Sequence, residues 1–200
     1  MDADRETEEV RTHLLASAQV KRQTADSCAQ SIQTAARVIV QSLRSGGKVL
    51  ICGNGGSAAD SQHLAGEFIN VLQKSRHRPA IPAIALTTDT SVLTAIGNDV
   101  GFETIFERQV AALGKPGDVV LAISTSGNSE HVIRAVRQAK QEKLKTIVLT
   151  GADGGQLRSM ADVCVCVPSK GVQRIQEVHI VIEHILCALV ERDLFGGTKS

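Results

Sequence analysis

Apolar residues recur along the chain in two rhythms. Ile32, Ala35, Ala36, Ile39 and Leu43 fall at helical spacing, which predicts a helix over 29–45 ended by Gly46-Gly47. A thinner stripe, Val10, Leu14, Leu15 and Ala18, predicts a separate helix over 4–27. Short apolar runs follow at Val49–Cys52, Ile81–Leu86, Val119–Ile123, Thr146–Thr150 and Val163–Val167. Each reads as a strand buried on both faces, as strands of parallel sheets are. Helical stretches separate them: one opened by Ser57 as N-cap, a short one from Thr90 to Ile96 broken by Gly97-Asn98-Asp99, then 102–113, 130–141 and a short one ending at Met160. Val172–Leu194 is a long final helix, apolar on nearly every side.

This βα alternation with short links predicts an α/β fold: three layers, about five parallel strands, helices on both faces. One domain is expected over 1–200, with an N-terminal helical pair at about 1–46 and the α/β core at 48–196. The thin stripe of the first helix predicts that the pair docks on another subunit. In such sheets a ligand sits beyond the carboxyl ends of the strands, where the strand order reverses.

Two loops occupy such ends. Gly53-Asn54-Gly55-Gly56-Ser57 joins a strand to a helix, and Ser124-Thr125-Ser126-Gly127-Asn128-Ser129 repeats the device with four hydroxyls. Backbone N–H groups and the helix dipole make each an anion site, suited to a compact phosphate. The first loop matches G-x-G-x-x-A, but the acidic residue expected about 20 positions on is absent and no Gly-Lys-Ser/Thr follows, so nucleotide binding is not expected. His63 and Glu67 share a helix face at i,i+4 spacing, which suits either a metal or a surface pair. In the final helix Gln176, Glu177, His179, Glu183 and His184 interrupt apolar surface, and buried polar groups cost free energy unless paired or used. Gln176 and His184 can face one cleft, and one of His179 and His184 is a core histidine. His13, His77, His131 and the connector residues Lys74, Arg76 and Arg78 read as surface groups.

Charge and composition narrow the partners. With 22 basic and 21 acidic residues, no Trp, no Tyr and four Phe, neither nucleic-acid nor membrane binding is expected. No apolar run reaches membrane-spanning length, and Met1–Glu9 lacks a signal-peptide core. Five cysteines without framework spacing predict a reduced cytoplasmic protein with buried thiols, Cys164 and Cys166 included.

Together, Cys-Gly-Asn-Gly-Gly-Ser-Ala-Ala-Asp-Ser-Gln-His, Thr-Thr-Asp-Thr-Ser with Ile-Gly-Asn-Asp, Ile-Ser-Thr-Ser-Gly-Asn-Ser, and Arg-Ile-Gln-Glu-Val-His with His184 beyond resemble the bacterial phosphoheptose isomerase family of the sugar-isomerase (SIS) fold group. The resemblance runs from about Ile32 to Leu194. It implies an aldose–ketose isomerase that converts sedoheptulose 7-phosphate to D-glycero-D-manno-heptose 7-phosphate for surface heptose synthesis. It further implies a homotetramer with intersubunit sites and one zinc per subunit. By that resemblance His63, Glu67, Gln176 and His184 hold zinc. Asn54, Gly55, Gly56, Ser57, Glu67, Asn98, Asp99, Ser124, Thr125, Ser126, Ser129 and Gln176 bind substrate, and Glu67 with His184 is the acid–base pair. The sequence departs from the family after Glu67, where Phe68-Ile69-Asn70-Val71 replaces a usual arginine, whose contact is either lost or supplied by Lys74 or Arg76. Alternatives within the fold group are a non-enzymatic tetramer that binds the replication initiator and a sugar-phosphate-sensing module. Glu67 and His184 favour the enzyme.

Overall fold

A computed structural model describes residues 2–73 and 77–196; Lys74, Arg76 and the tail 197–200 lie outside the described residues. The elements are α1 (Asp2–Arg44), β1 (Val49–Gly53), α2 (Gly56–Ile69), β2 (Ala83–Ala85), α3 (Thr90–Ile96), α4 (Ile105–Leu113), β3 (Val119–Ser124), α5 (Glu130–Gln141), β4 (Lys145–Gly151), α6 (Leu157–Met160), β5 (Val163–Val167) and α7 (Val172–Phe195). The five strands form one parallel sheet in the order β2-β1-β3-β4-β5. The order reverses between β1 and β3, whose ends align with Gly53 beside Ile123.

The period of two along each strand divides the core. Val49, Ile51, Leu121, Ile123, Ile147, Leu149 and the three valines of β5 face α1, α2 and α7. Leu50, Cys52, Val120, Ala122 and Val148 face α4, α5 and α6. Burial of both faces explains why the strands read as unbroken apolar runs.

Several expectations change. The two N-terminal helices are one helix of 43 residues, because nothing between 27 and 29 breaks the backbone ladder. At 1.5 Å per residue it extends about 65 Å. Its second half packs on the sheet through Cys28, Ile32, Ala35, Ala36 and Ile39, while Val10, Leu14 and Leu15 on its first half stand exposed. β2 is only three residues long, since Pro82 has no N–H to give the ladder. The chain does not break at Gly97: α3 widens into a π-turn over Gly97–Gly101 and breaks at Gly101, whose φ of 129° suits glycine. Cys164 and Cys166 are not core; they lie half-exposed on the edge strand with Sγ atoms 3.5 Å apart, whereas Cys28, Cys52 and Cys187 are buried.

Arg78 is not a surface residue either. Its side chain and that of Glu191 are each 2% exposed and joined at 2.8 Å. The guanidinium donates further to the carbonyls of Glu67, Phe68 and Pro79, and Glu191 also accepts from the Leu72 N–H. One side chain therefore closes the carboxyl end of α2 and ties it to α7. Removing one member of a buried ion pair strands the other charge. We expect Arg78→Ala to lower the unfolding free energy by about 3–5 kcal/mol in denaturant titrations. The double replacement Arg78→Met with Glu191→Leu should recover most of that loss, because it leaves no uncompensated charge.

Candidate active site

The two polar loops meet at the reversal point. A cleft of about 380 Å³ is lined by Asn54, Gly55, Gly56, Ser57, Ile123, Ser124, Thr125, Ser126, Ser129, Val172 and Gln176. Ser57 is not the N-cap of α2. Gly55 is, with φ of 58°, and Ser57 is buried in the first turn. Neither α2 nor α5 has a side-chain cap on its amino end; the N–H groups of Ser57, Ala58 and Val132 turn back to Asn54, Gly55 and Ser129, which leaves those of Gly56, Glu130 and His131 to an anion. Gly56 leaves room for the Gln176 amide at the cleft wall: a Cβ there would push that side chain aside. The second loop is shaped from behind. Gly151 N–H donates to the Thr125 carbonyl and Leu157 N–H to that of Gly127.

About two to three turns beyond the cleft, α2 and α7 bring their polar residues together. His63 Nε2 lies 2.8 Å from His184 Nε2, with the rings edge to face at 5.0 Å. Glu67 Oε1 is 3.9 Å from His63 Nε2, and Glu67 Oε2 is buried with no partner. Gln176 stands at the cleft wall beside Gly56 rather than at the imidazole pair. Asn98 and Asp99 are exposed, joined to each other at 2.7 Å, and outside the cleft lining.

The cation implied by the resemblance can be tested against this geometry. Among the described residues, no three His, Cys, Asp or Glu side chains form a ready cage for a metal ion. Yet two imidazole nitrogens converge beside an orphaned carboxylate oxygen, and nitrogen with carboxylate oxygen is a donor set that zinc accepts. The residues fit such a cation.

The two histidines left open by the sequence divide cleanly. His179 is fully buried and lies 3.2 Å from the Thr150 carbonyl. Burial pushes its pKa down to about 4, with the Thr150 bond a lesser opposing influence; the ring is neutral, and its Nε2–H donates. His179 is therefore the core histidine and His184 the site histidine. His131 departs from its surface reading: it is half-buried and lies within reach of Ser129 and Asn54 at the cleft rim. Its place directly after the hydroxyl loop was the available sequence signal.

The family model for the SIS domain matches residues 13–151. A phosphoheptose isomerase from Roseiflexus sp. (strain RS-1) is 54% identical over 180 residues, 90% of each chain. The chain belongs to the phosphoheptose isomerase family of SIS-domain enzymes. Solved phosphoheptose isomerases superpose accordingly. That from Neisseria gonorrhoeae is 44% identical with a TM-score of 0.87, covering 92% of this chain and 98% of its own. That from Francisella tularensis is 41% identical with a TM-score of 0.89, covering 94% and 98%. No helix among the described residues is long and apolar enough to cross a membrane.

Beside the site, Glu183 is fully buried and both its carboxyl oxygens lack partners. Burial, with Asp60 nearby, pushes its pKa up to about 9 from an ordinary 4.5. Between those pH values the folded chain holds a proton that the unfolded chain has released. Stability therefore falls as pH rises through that window, by on the order of 1 kcal/mol per pH unit at most. Glu183→Gln should flatten the slope, which urea midpoints taken across the window would reveal.

Proposed function

We propose that the chain interconverts sedoheptulose 7-phosphate and D-glycero-D-manno-heptose 7-phosphate, feeding surface heptose synthesis. The observation that carries this reading is the position of His63, Glu67 and His184 about two to three helical turns past an anion cleft at the sheet's reversal point. The cleft binds phosphate through the hydroxyls of Ser124, Thr125, Ser126 and Ser129 and the N–H groups that open α2 and α5. Seven residues separate Gly56 from His63, about 10 Å of helix. One ligand reaches from the cleft to the imidazoles only if it is long, as a seven-carbon sugar phosphate is.

An aldose–ketose exchange moves a proton between C1 and C2 through an enediol. Glu67 Oε2, having no partner to release, takes the proton from C1 of the ketose and returns it at C2. His184 passes a proton between the two substrate oxygens when its ring nitrogen is not engaged with a cation. His63, Glu67 and His184 would hold a zinc-class cation, with Gln176 of this chain or of a second copy as the fourth donor. When bound, it would polarise the carbonyl and offset enediolate charge. The phosphate, held at a distance, fixes the sugar so that C1 stays under Glu67. Asn98 and Asp99 are the remaining sugar contacts carried over by family resemblance.

A homotetramer, with sites shared between copies, is part of the same proposal. The exposed Val10, Leu14 and Leu15 support it. So does an apolar groove between α1 and α7, lined by Ala25, Ala29, Ile32, Val181, Ile185 and Leu189. A second copy would cover both.

Two measurements test the chemistry. Glu67→Gln should reduce turnover of sedoheptulose 7-phosphate at least about a hundredfold without changing the assembly seen by light scattering; near-normal turnover would remove Glu67 as the base. Exhaustive chelation should abolish activity and added zinc should restore it, assayed against shorter sugar phosphates in parallel. Undiminished activity in metal-free protein would remove the cation from the mechanism.

A further inference from the structure

We infer that His131 is a positioning residue for the substrate's phosphate group, acting through the hydroxyl of Ser129. The inference rests on the reading of the cleft as a phosphate site. Among the described residues lining that cleft there is no lysine or arginine. A doubly charged group held by neutral donors alone depends on how well each donor is aimed. Ser129 is the donor whose aim the structure controls most visibly.

Ser129 precedes α5 but does not cap it with its side chain, so no backbone N–H competes for its oxygen. Asn54 Nδ2, from the other loop, donates to Ser129 Oγ at 3.0 Å. His131 Nδ1 lies 3.2 Å from the same oxygen and 3.4 Å from the Asn54 amide nitrogen. The imidazole is held in that place by Phe102, whose ring meets it edge to face at 5.1 Å and 79°. Phe102 follows Gly101, so the segment after α3, which packs along α5, also bears on the first turn of α5 through this ring contact.

Counting hydrogen bonds shows what the arrangement does. A hydroxyl has one proton and two lone pairs. The Asn54 amide fills one lone pair. With hydrogen on Nδ1, the imidazole fills the other, and the Ser129 proton has nowhere to point except outward, toward an anion. With Nδ1 bare, the ring accepts instead, from the second Asn54 amide hydrogen at 3.4 Å or from the Ser129 hydroxyl at 3.2 Å, and Ser129 loses the second donor that aims its proton outward. An anion in the cleft favours the first arrangement, and either the neutral Nδ1–H tautomer or the imidazolium supplies it. His131 thus converts Ser129 from a two-way group into a dedicated donor without touching the substrate itself.

Three variants of the full chain separate this role from simple packing. In His131→Asn the side-chain amide nitrogen falls near the Nδ1 position, so KM for sedoheptulose 7-phosphate should stay within about twofold of the parent. His131→Gln carries its amide out to the Nε2 position, and His131→Leu has no donor. For both, KM and the calorimetric Kd for inorganic phosphate should rise together about five- to tenfold, with kcat changed less than about twofold. Parent-like KM and phosphate affinity in the Gln and Leu variants would overturn the assignment, as would an Asn variant as impaired as Leu. A parent protein that binds phosphate but does not turn over the heptulose would sink the proposed reaction instead. The phosphate titrations across the three variants would still decide the role of His131.

Discussion

The site depends on two helices from distant parts of the chain lying side by side in fixed register, and a buried ion pair sets that register. α2 and α7 face each other at successive levels: Gly56 against Gln176, His63 against His184, and the carboxyl end of α2 against Glu191 by way of Arg78. Apolar packing of Leu64, Ala65 and Phe68 with Val178, Ile182 and Leu186 in one buried cluster holds the helices together, but it is non-directional. A guanidinium bonded to one carboxylate and three carbonyls fixes direction as well. Directional bonds at the far end make the near end reproducible to the ångström, which proton transfer requires.

The other half of the site follows from sheet topology. Because β1 and β3 are neighbours whose following helices pack on opposite faces, their loops splay apart and leave a cleft between them. Asn54 closes part of that gap by reaching across to Ser129. The cleft is therefore built from two segments about seventy residues apart in the chain, and neither loop alone would form it.

Much of this was readable from residues alone. The boundaries of α5 and β5 follow from apolar periodicity and from Gly and Pro punctuation, and both anion loops announce themselves as glycine or hydroxyl clusters at strand ends. What was not readable involves pairing across long separations. Arg78 sits among charged neighbours in a proline-bearing connector, and its partner is 113 residues away, so local polarity misreads it as solvated. What sets His131 apart from an ordinary surface histidine is its contact with Ser129, Asn54 and Phe102. The choice between His179 and His184 turns on depth: one meets the sheet at Thr150, the other meets α2. The merged N-terminal helix was missed for a simpler reason, since a weakened stripe marks a lost packing surface, not a lost helix.

That long helix carries one more implication. Its overhanging half is clipped to the rest of the chain by Arg174, whose Nη1 donates to the His13 carbonyl at 2.6 Å. Arg174 lies in the first turn of α7, two residues before Gln176 at the cleft wall. Leverage on the overhang is thus delivered to the turn of α7 that forms the cleft wall, so movement of one end of the long helix and the shape of the cleft share a single mechanical linkage.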